Sequence, residues 1–183
     1  ASDVYKRQLW ASGLPVQAGR RHFAFMDWSD FEPDTWREVR AEAMAAIHPV
    51  ETQIFASDQH PGAVRQTKES LEGADVSSLV ELQQTDFFKL EPRTTKGTLL
   101  FNPPYGERMD PGDIVGLYKR IGDQLKFHWS GFDAWIISSN DEALRRVGLR
   151  PHKRHPVYNG ALECRWVGFS MYRGSKADQY KKQ

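Results

Sequence analysis

Residues 99–108 read Leu99-Leu100-Phe101-Asn102-Pro103-Pro104-Tyr105-Gly106-Glu107-Arg108. Thr98 to Phe101 is a short, mainly apolar run with the length of a buried strand. It stops at Asn102. The two prolines that follow have no backbone N–H for a ladder, so no central strand continues through them. Tyr105 and Gly106 then turn the chain. The stretch predicts an amide side chain, a stiff extended dipeptide and an aromatic ring at the tip of a strand, the place where open α/β sheets bind ligands.

Outward from this point, strands and helices alternate. Upstream, Pro33 to Ile47 reads as a helix, with Pro33 in its first turn and an apolar stripe of Trp36, Val39, Ala43, Ala46 and Ile47. Thr52 to Ser57 reads as a strand ending at Asp58, Pro61 to Leu71 as a helix, and Leu79 to Gln84 as a strand ending at Thr85-Asp86. Downstream, Gly112 to Phe127 reads as a helix, Asp133 to Ser138 as a strand, and Asn140 as the cap of a short helix through Leu144. His152 to Tyr158 and Ala161 to Tyr172 flank Asn159-Gly160, a strong hairpin signal. The pattern is α/β with a largely parallel sheet and a closing antiparallel hairpin. Phe23, Phe25, Trp28 and Phe31 form a dense aromatic set expected to pack as core.

The tip after Phe101 suits methyl transfer to a planar exocyclic amine. The lone pair of such an NH2 is delocalised into its ring, so the nitrogen is a poor nucleophile. Two acceptors that hold the NH2 favour a tetrahedral nitrogen. The Asn102 side-chain oxygen and the Pro103 carbonyl are candidates, with Pro103 and Pro104 fixing where the carbonyl points. Tyr105 offers a flat face for a base taken out of its helix. A plain Pro-rich turn after a buried strand is the alternative.

Asn102-Pro103-Pro104-Tyr105 resembles the motif of S-adenosylmethionine-dependent amino-methyltransferases. With Gly106-Glu107-Arg108 and Leu117-Tyr118-Lys119 it is more similar to the bacterial large-subunit rRNA guanine-N2 methyltransferases, a group long labelled N6-adenine-specific DNA methylases. Arg20 to Trp28 and Tyr158 to Arg165 also resemble this family. The resemblance implies a Rossmann-like methyltransferase sheet, S-adenosylmethionine as cofactor and an RNA substrate. Guanine N2 of rRNA is expected first, and adenine N6 of DNA or a non-catalytic binding module remain as alternatives. It implies catalytic roles for Asn102, Pro103, Pro104 and Tyr105, and a cofactor contact for Asn102. On the cofactor side it gives Asp58 the ribose hydroxyls, Asp86 the adenine amino group and Phe87 the adenine ring. Family members carry two acids near Asp58, separated by one residue; here the second position is His60. A helix cap is the other reading of Asp58. The family's first strand and glycine-rich turn have no counterpart before Arg20. The expected organisation is a partial catalytic domain over 9–173, between tails 1–8 and 174–183, and by itself it is expected to bind S-adenosylmethionine weakly or not at all and to be inactive.

The 183 residues carry a formal charge of +1, which neither demands nor excludes a nucleic-acid partner. The single cysteine, Cys164, sits in an apolar stretch. It reads as core, and a reducing, cytoplasmic setting is expected. No apolar run approaches a membrane span, and no Cys/His spacing suggests a metal. His152 and His155, three apart in an expected strand, are read as lying on opposite faces.

Overall fold

The computed structural model describes residues 12–15, 17–49, 52–73, 78, 80–106 and 110–172. The two expected tails, and Glu107 and Arg108, lie outside these. The chain forms two compact units that divide between Lys89 and Leu90.

In the first unit, α1 (Pro33–Ala45) precedes β1 (Ile54–Asp58), α2 (Pro61–Gly73) and β2 (Val80–Gln84). Strands β1 and β2 pair in parallel, Ile54 opposite Val80 through Asp58 opposite Gln84. Leu71 and Val80 are buried, with Leu14, Ile54 and Ala56 packed against them. The aromatic set closes on a different member from the one expected. Trp36 meets Phe23 and Phe25 edge-on at 5.6 and 5.1 Å, and Phe31 joins Phe25. Trp28 leaves the cluster and is 66% exposed. The 3-10 turn Ala24–Asp27 ends there in extended backbone, which carries the indole outward. The stripe on α1 is shallower than its spacing suggests: no residue of the helix is fully buried, and Val39 is exposed.

The second unit holds β3 (Gly97–Phe101), α3 (Pro111–His128), β4 (Phe132–Ser138), α4 (Asp141–Arg146), β5 (Lys153–Asn159) and β6 (Leu162–Ser170). The sheet order is β3-β4-β6-β5. β3 and β4 are parallel; β6 runs antiparallel to both β4 and β5. The expected alternation of parallel strands with a closing hairpin is therefore present, in two sheets. Among the described residues β1 pairs with β2 alone and β3 with β4 alone.

One face of the four-stranded sheet is covered. Ile114, Tyr118, Ile121 and Leu125 recur at helical spacing on α3 and are buried with Ala134, Ile136, Leu144, Val147, Val167 and Phe169. Asn140 caps α4 as read, its side-chain oxygen accepting the Ala143 N–H at 2.9 Å. Cys164 is fully buried.

The hairpin turn is displaced by one residue. Asn159 pairs with Leu162, so Gly160 and Ala161 make the turn. Gly160 has φ +62°, a first-position glycine of the type II′ kind, so the left-handed residue is the one without a side chain. The reading of His152 and His155 is also corrected. Both imidazoles contact Trp135, His152 edge-on at 5.4 Å and His155 stacked at 6.0 Å. His152 lies one residue before β5, so strand alternation does not govern it; its N–H bonds to the Gly168 carbonyl at 2.9 Å.

Candidate active site

In the first unit, two carboxylates gather at the C-terminal ends of adjacent parallel strands. Asp58 closes β1, and Asp86 follows β2 by two residues. The Thr85 N–H donates to the Asp58 carbonyl at 3.0 Å, which fastens the two ends together. Each acid uses one oxygen locally. Asp58 Oδ1 accepts the His60 N–H at 2.8 Å, and Asp86 Oδ1 accepts the Phe88 N–H at 3.0 Å. These are short turns of the kind Asp side chains favour. The turn at Asp58 leads straight into Pro61 of α2, so the cap-like role is real for one of its oxygens. Phe87 lies half-buried in the 3-10 turn Phe87–Lys89, its ring 5.5 Å from Phe88.

In the second unit, the Asn102-Pro103-Pro104-Tyr105 segment leaves the end of β3 as an extended tip. Its anchoring is built from three residues of neighbouring elements. Ser138 ends β4 and is fully buried; Tyr118, on α3, is also fully buried. Ser138 Oγ lies 2.7 Å from Tyr118 Oη and 3.1 Å from the Asn140 N–H. Tyr118 Oη is also 3.3 Å from the Pro104 carbonyl. A phenol has one proton, and hydroxyl protons rotate to suit their partners. The arrangement that uses every proton runs from the Asn140 N–H to Ser138 Oγ, from the Ser138 hydroxyl to Tyr118 Oη, and from the Tyr118 hydroxyl to the Pro104 carbonyl. Burial pushes the Tyr118 hydroxyl up to about 12, against the hydrogen bond from Ser138, which pulls it down. Asn140 holds the next carbonyl directly, its Nδ2 donating to Tyr105 O at 3.2 Å. Gly106, at φ +109°, turns the chain away.

Two consecutive carbonyls, those of Pro104 and Tyr105, are thus engaged. Among the described residues none donates to the Pro103 carbonyl. The Asn102 side chain is exposed, and its Oδ1 accepts the Tyr105 hydroxyl at 2.5 Å. The sequence gives no sign of this contact, which orients the amide and uses one of its two lone pairs. Sequence reasoning placed Tyr118 on a buried stripe and Asn140 at a helix cap, but missed that they hold the loop. The available signals were a phenol on a buried face, which needs a partner for its hydroxyl, and a serine closing the apolar strand Asp133 to Ser138.

The chain matches the model of the RMKL-like, methyltransferase domain family over residues 9–168. It belongs to that family. Among curated relatives, it is 33% identical over 181 residues to the ribosomal RNA large subunit methyltransferase K/L of Vibrio parahaemolyticus, a match covering 94% of this chain and 25% of the relative. An RNA methyltransferase of Synechocystis is 31% identical over 152 residues, covering 82% of this chain and 40% of the relative. The chain therefore spans a quarter to two fifths of the length of these relatives. Among solved structures, SMU.472, a methyltransferase complexed with SAH, superposes with a TM-score of 0.76 at 23% identity, over 85% of this chain and 42% of that one. A structure from Listeria monocytogenes, that of an N6-adenine-specific DNA methylase by name, gives 0.76 at 19% identity, over 93% and 43%. These likenesses establish the α/β methyltransferase fold. Among the described residues no helix is long and apolar enough to cross a membrane, and no cluster of His, Cys, Asp or Glu could hold a metal ion.

Proposed function

We propose that this chain is catalytic machinery for S-adenosylmethionine-dependent methylation of an exocyclic base nitrogen in RNA, with guanine N2 of large-subunit rRNA as the target and the cytoplasm as its setting. The family, the names of its rRNA-modifying relatives and the SAH held by a structural neighbour support the reading. The observation that carries it is the anchored loop. The two carbonyls after Pro103 are tied down, while the Pro103 carbonyl has no donor among the described residues beside an exposed Asn102 amide.

Asp58, Asp86 and Phe87 fit the adenosine part of the cofactor. Asp58 and Asp86 each keep one carboxylate oxygen outside their local turns, suited to the ribose hydroxyls and the adenine amino group, with the Phe87 ring for the adenine face. When bound, S-adenosylmethionine supplies an electrophilic methyl on a sulfonium. Asn102 Oδ1 and the Pro103 carbonyl accept the two N–H bonds of the target amine. They draw its lone pair out of conjugation, and the prolines hold the acceptors in place beforehand. Tyr105 stacks on the extruded base. The proton lost from the alkylated nitrogen goes to water, so no general base is required. The test is mass mapping of large-subunit rRNA from a strain lacking the full-length gene. Loss of one methyl at a guanine N2 is expected; an unchanged rRNA methylation pattern would overturn the assignment.

A further inference from the structure

The stretch Tyr158 to Arg165 has no task in the methyl-transfer reading. In the structure it borders an open cavity of about 360 Å³, lined by Asp141, Arg145, Arg154, Pro156, Glu163 and Arg165. Sheet register explains the convergence. Arg165 pairs with Ser138 on one side and Pro156 on the other, and Arg154 shares the face of Pro156 two residues away. Arg145 comes from α4, one turn beyond Asp141. Arg165 is already satisfied: it bonds Glu163 at 2.6 Å, and Asp141 adds a favourable field. Arg145 and Arg154 have no ion pair or side-chain hydrogen bond among the described residues. The cavity is lined by three guanidiniums and two carboxylates, so a net positive charge remains for an anion. Tyr158 stands on the same face beyond Pro156, opposite Glu163, and is 72% exposed. An exposed aromatic ring on the strand face that carries one of two unpaired arginines is a composition that suits single-stranded nucleic acid, with phosphates on the guanidiniums and a base on the ring.

We propose that this cleft grips the RNA strand next to the target base, Arg145 and Arg154 taking successive phosphates and Tyr158 stacking a flanking base. The proposal rests on the methyl-transfer reading and deepens it. The cleft adjoins the loop's anchors: Arg165 pairs with Ser138, and Asn140, which holds the Tyr105 carbonyl, starts the helix that bears Arg145.

The test is fluorescence anisotropy of the 183-residue chain with a labelled single-stranded RNA of about 12 nucleotides, within the usual site size for such grooves. The Arg145→Gln/Arg154→Gln double variant should weaken binding and flatten the plot of log K against log salt by about 1.4, from ~0.7 per phosphate on a single strand. Tyr158→Ala should lose roughly tenfold in affinity with the slope unchanged. Glu163→Gln should tighten binding, a gain that no misfolded variant would mimic. Parent binding too weak to measure at low salt, no loss in the double variant with an unchanged slope, or tighter binding of the deoxy strand of the same sequence would each overturn the RNA cleft. The rRNA mass map separates the two readings: an unchanged methylation pattern would count against methyl transfer, while the anisotropy outcomes bear on the cleft alone.

Discussion

Removing one oxygen from Tyr118 tests the anchor beneath the Asn102-Pro103-Pro104-Tyr105 loop. Tyr118→Phe keeps the ring in a site with no exposed surface and deletes the hydroxyl that lies 2.7 Å from Ser138 Oγ and 3.3 Å from the Pro104 carbonyl. Pro104 is exposed, so water can take over its carbonyl. Ser138 is fully buried and still accepts from the Asn140 N–H, but its own proton loses its acceptor. One buried donor left unmet costs about 1–3 kcal/mol, and with water relieving Pro104 the lower half of that range is expected. Urea denaturation reads the loss as a lower midpoint at unchanged slope. Ser138→Ala on top of Tyr118→Phe removes the stranded donor, so the double variant should lose less than the sum of the singles, with a coupling of about 0.5 kcal/mol or more. The phenol also sets a pH dependence. Its folded value, about 12, lies above the unfolded value of 10, so its contribution is complete below pH 10 and is lost as pH rises through the folded value. Stability should fall by up to about 1.4 kcal/mol per pH unit between those values, and Tyr118→Phe should flatten that fall. Additive single variants, or an alkaline limb that persists unchanged in Tyr118→Phe, would refute the hydrogen-bond chain as drawn.

In the full-length protein, Asn102→Ala removes one of two acceptors for the target amine and should slow methyl transfer by about 2.7–4 kcal/mol in barrier, as for a lost oxyanion-hole donor; single-turnover kinetics showing near parent rates would reject its role. Tyr105→Phe releases the Asn102 oxygen but keeps the ring, and should be tolerated, whereas Tyr105→Ala should cost ~1–3 kcal/mol in RNA engagement; equal small effects on KM would make Tyr105 a turn residue only. Asn140→Ala removes the cap of α4 and the donor to the Tyr105 carbonyl together. It should lower thermal stability by about 1–2 kcal/mol, and an unchanged Tm would mean the loop does not depend on it. In the full-length protein, Asp58→Asn should weaken S-adenosylmethionine binding in calorimetry while leaving the fold intact; unchanged affinity would confine Asp58 to its turn with His60.

Much of the architecture was legible because its signals are local. Strand ends at Asp58 and Phe101, the cap at Asn140 and the buried stripe on α3 follow from turn chemistry and periodicity within a dozen residues. What escaped depends on residues far apart in sequence. That Tyr118 and Ser138 meet, or that Arg145, Arg154 and Arg165 border one cavity, follows from register and helix rotation, which no single window encodes. The two histidines on Trp135 and the displaced turn at Gly160 show the same limit at short range. One residue in the placement of a strand end decides which side chains share a face.

Pro156 has a consequence for assembly. β5 is the outermost strand, and Pro156 sits within it opposite Arg165. Asn159 and Leu162 flank a two-residue turn and so exchange hydrogen bonds, and pairs alternate from there, which puts Pro156 at a pair that does not exchange them. Its nitrogen therefore faces away from β6, toward any strand that might add from outside. That row lacks a donor at its middle, and its neighbours Lys153 and Arg154 repel a second copy of the same edge. Growth of the sheet by lateral recruitment, the first step toward fibrils, is blocked at this margin by the same short strand that lends Arg154 and Tyr158 to the cleft. Replacing Pro156 to stiffen the hairpin would restore that donor and reopen the margin to polymerisation.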